Sequence, residues 1–291
     1  MNGARRISCI LSVCWLIVFC LMLCGCKNEP AEQPKADVSV LTWNIFQATA
    51  DVDALLLVLQ QNPADVVCFQ EANNNAYGKV VTPFLTANTD YKLACDKVDG
   101  HTCRTPVLYD CTKLVLVDSG TELFTESYQG SPSKSVAWCV FDVIATGKRF
   151  VAANIHGAVT RNKYDGLQDY TQEELDELAI EWRVGNVKQA TAAVKRQLDI
   201  YGQIPAFICG DCNFAAGSLP YLTMTEHGYR DSVAGKFKSV HEVGIAPSEG
   251  NAIDHVFVND KASFLRYDML ADDAVLAASD HCPLVAELLF E

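Results

Sequence analysis

Short apolar, β-branched runs recur along almost the whole chain, at 38–43, 65–70, 105–109, 113–118, 136–145, 149–155, 204–209, 253–258, 264–270 and 284–289. Many are bounded by Gly, Asp, Asn or Pro, the residues that end strands. Helical spacing of apolar residues is confined to 51–61, 77–88, 172–200 and 218–227. The longest of these opens on Thr171 with Glu174 three residues on, a capping box. Its apolar positions, from Leu175 and Leu178 to Val194 and Leu198, then recur at helical period, and Gly185 is a candidate kink. The order is strand–helix–strand, then consecutive strands, a long helix and more strands. Such a mixture predicts large sheets packed face to face with helices outside, in one domain. Nothing in 38–291 reads as a linker, a repeat or low complexity.

The first residues follow a different rule. Arg5 and Arg6 precede an apolar run from Ile7 to Gly25, closed by Leu23-Cys24-Gly25-Cys26 and followed by Lys27-Asn28-Glu29-Pro30. A basic start, an apolar middle and small residues before a cleavage point describe an export signal. The run resembles a bacterial lipoprotein signal peptide. That resemblance implies removal of residues 1–25, acylation of Cys26 and a lipid-anchored place in the bacterial cell envelope. An uncleaved membrane anchor is the competing reading, because the run is nearly long enough to span a bilayer. Residues 26–37 then read as a polar tether to a domain at 38–291.

With 23 basic and 36 acidic residues, the chain has a formal charge of −13. That argues against tight, charge-driven binding of duplex nucleic acid, which needs many phosphate-neutralising cations. It does not exclude phosphorylated substrates, because a bound cation reverses the local sign of an acidic pocket. Beyond the leader lie Cys68, Cys95, Cys103, Cys111, Cys139, Cys209, Cys212 and Cys282. Several sit in strand-like runs and behave as small hydrophobes. Cys95 and Cys103, in what reads as a polar loop, are the best disulfide candidate. Cys209-x-x-Cys212 has no second ligand pair, so a zinc or thiol role for it is weak.

Polar residues collect at strand ends. Leu41-Thr42-Trp43 leads into Asn44, Phe69-Gln70 into Glu71, Asn154-Ile155 into His156-Gly157, and Gly210 into Asp211-Cys212-Asn213-Phe214. Asp254 opens Ile253-Asp254-His255-Val256, and Ser279-Asp280-His281 precedes Cys282-Pro283-Leu284. Any one of these is a commonplace turn. In this order they resemble the endonuclease/exonuclease/phosphatase (DNase I-like) superfamily over residues 38–291. The resemblance implies a four-layer α/β-sandwich, two packed mixed β-sheets flanked by helices. It also implies a phosphoesterase that uses a divalent metal, usually Mg²⁺, with Mn²⁺ as the alternative.

The chemistry assigns roles. Mg²⁺ takes hard oxygen ligands and only one or two protein carboxylates. Glu71, with Asn44 beside it, and Asp280 are therefore the metal candidates. Asp211 would take the proton of the attacking water, and Asn213 would hold that water or a phosphoryl oxygen. His281 would act as base or charge stabiliser, with Asp254 fixing its tautomer. The choice of base between Asp211 and His281 stays open. His156 matches a family position at the scissile phosphate. His255 should face away from Asp254, because strand side chains alternate. His101, His227 and His241 default to structural roles, although His241 lies at a plausible rim position.

In many relatives the long helix carries an Arg three residues before a Gln; here Gln189 is preceded by Asn186. Loops at 72–104, 157–171 and 233–252 should choose the substrate, and their cations, Lys97, Arg104, Arg161, Lys163, Lys236 and Lys238, are scattered. The expected substrate is a phosphoester within nucleic acid, a lipid head group or a small phosphodiester, acted on by a monomer at a membrane. The alternative is a non-catalytic, phosphate-ligand-binding surface lipoprotein on the same scaffold.

Overall fold

In a computed structural model of the chain, the described residues are 34–125, 134–159, 167, 169–231, 236–245 and 252–291. The leader and most of the tether lie outside them. The compact unit is Ala36–Glu291. Its strands are β1 (Val38–Asn44), β2 (Val66–Gln70), β3 (Tyr91–Val98), β4 (His101–Asp110), β5 (Leu114–Leu123), β6 (Ser135–Val143), β7 (Arg149–His156), β8 (Ala206–Asp211), β9 (Asp254–Val258), β10 (Ala262–Met269) and β11 (Leu284–Phe290).

They form two mixed sheets, in the orders β10-β11-β1-β2-β4-β3 and β5-β6-β7-β8-β9. Apolar contacts define the layers. Val40, Cys68, Phe141, Phe150, Phe207 and Leu288 fill the space between the sheets. The other face of the first sheet buries Leu41, Trp43 and Phe69 against Leu55 and Val58 of the helix Val52–Gln61 and Val275 of the helix Asp273–Ala278. The outer face of the second buries Val140, Val151 and Ile208 against Val187, Ala190 and Val194 of the helix Gln172–Tyr201. The result is a four-layer α/β-sandwich. Each central strand buries both faces, which explains why those runs read as continuously apolar rather than alternating.

The long helix begins at the expected capping box, with Thr171 accepting from the Glu174 N–H and Glu174 closing back on the Thr171 backbone. It runs through Gly185 as one helix. The stretch 72–104, read as loop beyond its helical segment, is more ordered than expected. It holds a helical run from Asn74 to Ala87 with a π-turn at Tyr77–Val81, then β3 and the start of β4. Register shifts between Leu93 and Cys95 and between Cys95 and Lys97 break the alternation that would have marked β3 as a strand.

Those same strands correct the expected Cys95–Cys103 disulfide. Cys95 pairs with Val107 across the hairpin, and its Sγ lies 3.4 Å from Cys139 Sγ in the facing sheet. Cys103 Sγ meets Thr105 Oγ1 instead, and all eight cysteines of the domain are free thiols.

Candidate active site

Topology brings the strand ends together. Each sheet contains one parallel pair, β1 with β2 and β7 with β8, whose carboxyl ends leave in the same direction. Asn44 thereby lies beside Gln70, which precedes Glu71, and His156 lies beside Asp211. β9 runs antiparallel to β8, so its first residue, Asp254, pairs with Asp211. β11 runs antiparallel to β1, so the segment before Leu284 meets the end of β1. There Trp43 Nε1 donates to the His281 carbonyl at 2.7 Å, and Ser279 Oγ donates to the Asn44 carbonyl at 2.7 Å. Between the sheets, Gln70 Nε2 donates to Asn154 Oδ1 at 2.7 Å, and Asn154 Nδ2 donates to the Phe69 and Pro106 carbonyls.

The backbone here is held in uncommon conformations. Glu71 and Asn213 lie at φ of 59° and 56°, and Phe46, Gln47 and Ala48 form a left-handed run. Non-glycine residues at such angles each cost about 1–3 kcal/mol and concentrate at functional sites. Gly210 has φ 136°, and a Cβ there would sit 2.0 Å from the Ile155 carbonyl oxygen. Gly210→Ala must therefore push β8 away from β7, and it is expected to cost roughly 2–4 kcal/mol of stability. Chemical denaturation measures this; an unchanged midpoint contradicts the close strand approach.

Asp211 is the hub. Its Oδ2 accepts from Asn44 Nδ2 at 2.9 Å and lies 3.3 Å from His156 Nε2 and 3.9 Å from His281 Nε2. Its Oδ1 accepts from the Asn213 N–H at 3.1 Å, and Asn213 Nδ2 donates to the Gly157 carbonyl at 3.1 Å. Burial alone would raise the Asp211 carboxyl, but His156, His281 and Lys134 overcome it and hold it far below the ordinary carboxylate range. His281 is the counterpart. Burial pushes its pKa down, yet Asp254, through charge and the Nδ1···Oδ2 contact at 2.9 Å, with help from Asp211 and Asp280, lifts it to about 10. Ser239 Oγ donates to the same Asp254 oxygen.

His156 is driven the other way, by burial and then by Lys134. Lys134 Nζ lies 2.5 Å from His156 Nε2. An ammonium only donates, so the neutral ring accepts at Nε2 and carries its proton on Nδ1. Nδ1 is buried with no hydrogen-bond partner among the described residues.

Glu71 is also buried enough to be pushed up, but His156, Lys134 and the amides of Gln47 and Asn44 bring its carboxyl below the usual value. The Gln47 bond, Nε2 to Oε2, is 3.2 Å long. Asp280 moves upward, by burial first, with the Glu71 and Asp211 charges adding to it against the pull of His281.

A cavity of about 150 Å³ is lined by Gln47, Glu71, Arg104, Lys134, His156, Val159, Asp211, Asn213 and His281. The structure therefore brings Glu71, His156, Asp211, Asn213 and His281 onto one cavity. Asn44 and Asp254 stand behind it. Asn44 holds Asp211 with its side-chain Nδ2, while its side-chain Oδ1 accepts from the Phe46 N–H at 3.1 Å. The backbone N–H of His241 donates to the Asp280 carbonyl, and His241 is not among the residues that line the cavity. His255 faces the opposite layer, between Asp231 and the Phe214 carbonyl.

Lys134 and Gln47 are residues that the sequence did not single out for this site, and Arg104 was named only as one of the scattered cations of the surrounding loops. Lys134 stands alone before an apolar strand, and Gln47 reaches Glu71 only because of the left-handed turn. Asn186 and Arg183 of the long helix bond the Ala158 N–H and carbonyl, so the helix fixes the turn after His156. Cys212, by contrast, is buried and its thiol is raised by that burial, which leaves it unreactive.

The model of the endonuclease/exonuclease/phosphatase family matches residues 41–281. The chain belongs to this family. Solved structures with the same fold include a family member from Bacteroides thetaiotaomicron, 18% identical over 87% of this chain and 95% of that one, with a TM-score of 0.69. A mannosyl-6-phosphatase from the same organism is 17% identical over 87% and 100%, with a TM-score of 0.68. The human Nocturnin catalytic domain is 15% identical over 87% and 94%, with a TM-score of 0.61. No curated protein gives a significant match. At these identities the neighbours establish a shared fold.

Proposed function

We propose that the chain is a divalent-metal-dependent phosphoester hydrolase. One observation carries the reading: the buried Asp211 shares a cavity with Glu71, Asn213, His156 and His281. In-line hydrolysis needs positive charge on the phosphoryl oxygens, a placed water and a group to receive its proton.

The donor set suits a hard cation. Glu71 and Asp280 offer carboxylate oxygens, and the Glu71 charge raises Asp280, a repulsion that a cation between them would relieve. Among the described residues no cluster of three or more His, Cys, Asp or Glu forms a closed metal cage. Oxygen donors of this kind suit Mg²⁺, which takes only one or two protein carboxylates and keeps most of its waters. When bound, the ion supplies Lewis acidity and charge for the phosphoryl oxygens.

The chain's own residues divide the remaining work. His281, its pKa raised by Asp254, is placed to stabilise negative charge on the phosphoryl group. Asp211, fixed by Asn44, aligns the water and receives its proton. Asn213, Lys134 and Arg104 bind phosphoryl oxygens, and the neutral His156 holds Lys134 in place. The acyl-anchored, envelope location implied by Cys26 remains part of this proposal and rests on the leader sequence alone.

The test is a panel of plasmid DNA, single-stranded DNA, RNA, sphingomyelin, inositol phosphates and mannose 6-phosphate, run with Mg²⁺ and with EDTA. Chelator-sensitive release of product from at least one member is expected; the mannosyl-6-phosphatase neighbour makes the sugar phosphate a natural inclusion. Binding of these ligands without turnover would favour a non-catalytic phosphate-binding protein.

The His281–Asp254 pair makes a separate expectation. A raised folded-state value means the pair's contribution to stability is complete below about pH 6.5, the unfolded histidine value, and fades as pH climbs through about 10. Asp254→Asn removes that support, so the His281 titration in chelated protein should fall by several pH units. Histidine NMR reads it directly; an unmoved midpoint breaks the assignment.

A further inference from the structure

Next to the catalytic cavity lies a larger one of about 480 Å³, lined by Asn73, Asn74 and Asn75 and by Lys97, His101, Thr102 and Arg104. We propose that it is a second subsite, which takes a second anionic group of a small, hydroxyl-bearing phosphoester. The substrate class is then a sugar or polyol carrying two anionic groups, one cleaved and one held here. The proposal rests on the phosphoesterase reading for the first group and adds the identity of the rest of the molecule.

The two cavities are joined physically. Arg104 lines both. Asn73 Nδ2 donates to Gln47 Oε1 at 2.9 Å, and Gln47 Nε2 donates to Glu71 Oε2 at 3.2 Å, so one hydrogen-bonded chain runs from the second cavity to the proposed metal ligand. Asn75 Nδ2 grips the Gln47 carbonyl at 2.8 Å and fixes the wall between them.

Charge points to an anion. The chain carries 36 acidic and 23 basic residues, yet no carboxylate lines this cavity. Among the described residues, Lys97 and Arg104 make no ion pair, whereas several other Lys and Arg side chains do, including Lys113 with Asp65, Lys148 with Asp37 and Arg149 with Asp142. Unpaired cations in a concave, carboxylate-free wall attract negative charge.

The remaining lining is amide and hydroxyl. Thr102 Oγ1 donates to Asn74 Oδ1 at 2.7 Å, which leaves the Asn74 amide nitrogen as a donor for ligand hydroxyls. The volume falls in the range of small-molecule sites. Two lysine and arginine charges and one histidine are too few for a polyanion to bind tightly, so the occupant is a compact molecule.

The experiment compares glucose 1,6-bisphosphate with glucose 6-phosphate on the full domain, by kcat/KM with Mg²⁺ and by calorimetric affinity in EDTA. The variants are Lys97→Ala, Lys97→Glu and Lys97→Arg; Lys97 is exposed, so folding is not at stake. The expected result is a preference of about tenfold or more for the bisphosphate, consistent with one charge-assisted contact. That preference should be lost in Lys97→Glu through KM and restored in Lys97→Arg. Equal affinity for both ligands in the wild type, a ratio unmoved by Lys97→Glu, or stronger binding of a single-stranded oligonucleotide overturns the proposal. If neither sugar phosphate is hydrolysed while the binding preference and its loss in Lys97→Glu persist, the hydrolase reading fails and the subsite stands.

Discussion

Asp211→Ala and Asp211→Asn are expected to lower kcat/KM by roughly 10³-fold to 10⁴-fold, the scale of losing a positioned proton acceptor. The Asn variant is the sharper of the two. It keeps the shape and can still accept from the Asn213 N–H, but its amide NH2 cannot replace the oxygen that accepts from Asn44, it cannot take a proton, and it no longer offers a negative charge to Lys134 and His281. His281 and Lys134 then face one another with less compensation, so the His281 titration should also move down. Both variants should fold, because the surrounding strands are anchored by apolar contacts on every layer. Activity within threefold of wild type in folded Asp211→Asn would remove the carboxylate from the mechanism.

Glu71→Gln should act on the cation rather than on the water. The substitution keeps length and the left-handed backbone at this position while removing the charge that His156, Lys134, Gln47 and Asn44 stabilise. At low Mg²⁺ the loss in kcat/KM should be about 10²-fold or more, and raising the metal concentration should recover part of it. Asp211→Asn should show no such recovery. A Glu71→Gln loss that is equal at every metal concentration would place Glu71 outside the metal site.

These two residues also show how much the sequence could say. Glu71 and Asp211 were legible because each ends an apolar strand, and parallel pairing turns strand ends into neighbours. The buried strands were legible because both faces are covered. Lys134 was not, since a single lysine beside a strand carries no period, and its meaning comes from a histidine 22 residues away. Gln47 was hidden by three successive left-handed residues, which no local pattern announces. β3 was hidden by its register shifts, and with it the true neighbour of Cys95. Cross-sheet contacts depend on which strands face each other, and residue order alone leaves that open.

Soaking crystals of the domain with Mn²⁺ and locating the ion by anomalous scattering addresses the convergence of these strand ends most directly. A single ion should appear at about 2.0–2.3 Å from a Glu71 carboxylate oxygen, in the cavity that Asp211 and His281 line. An ion bound elsewhere, or an empty cavity in a protein that still hydrolyses its substrate under those conditions, would contradict the account.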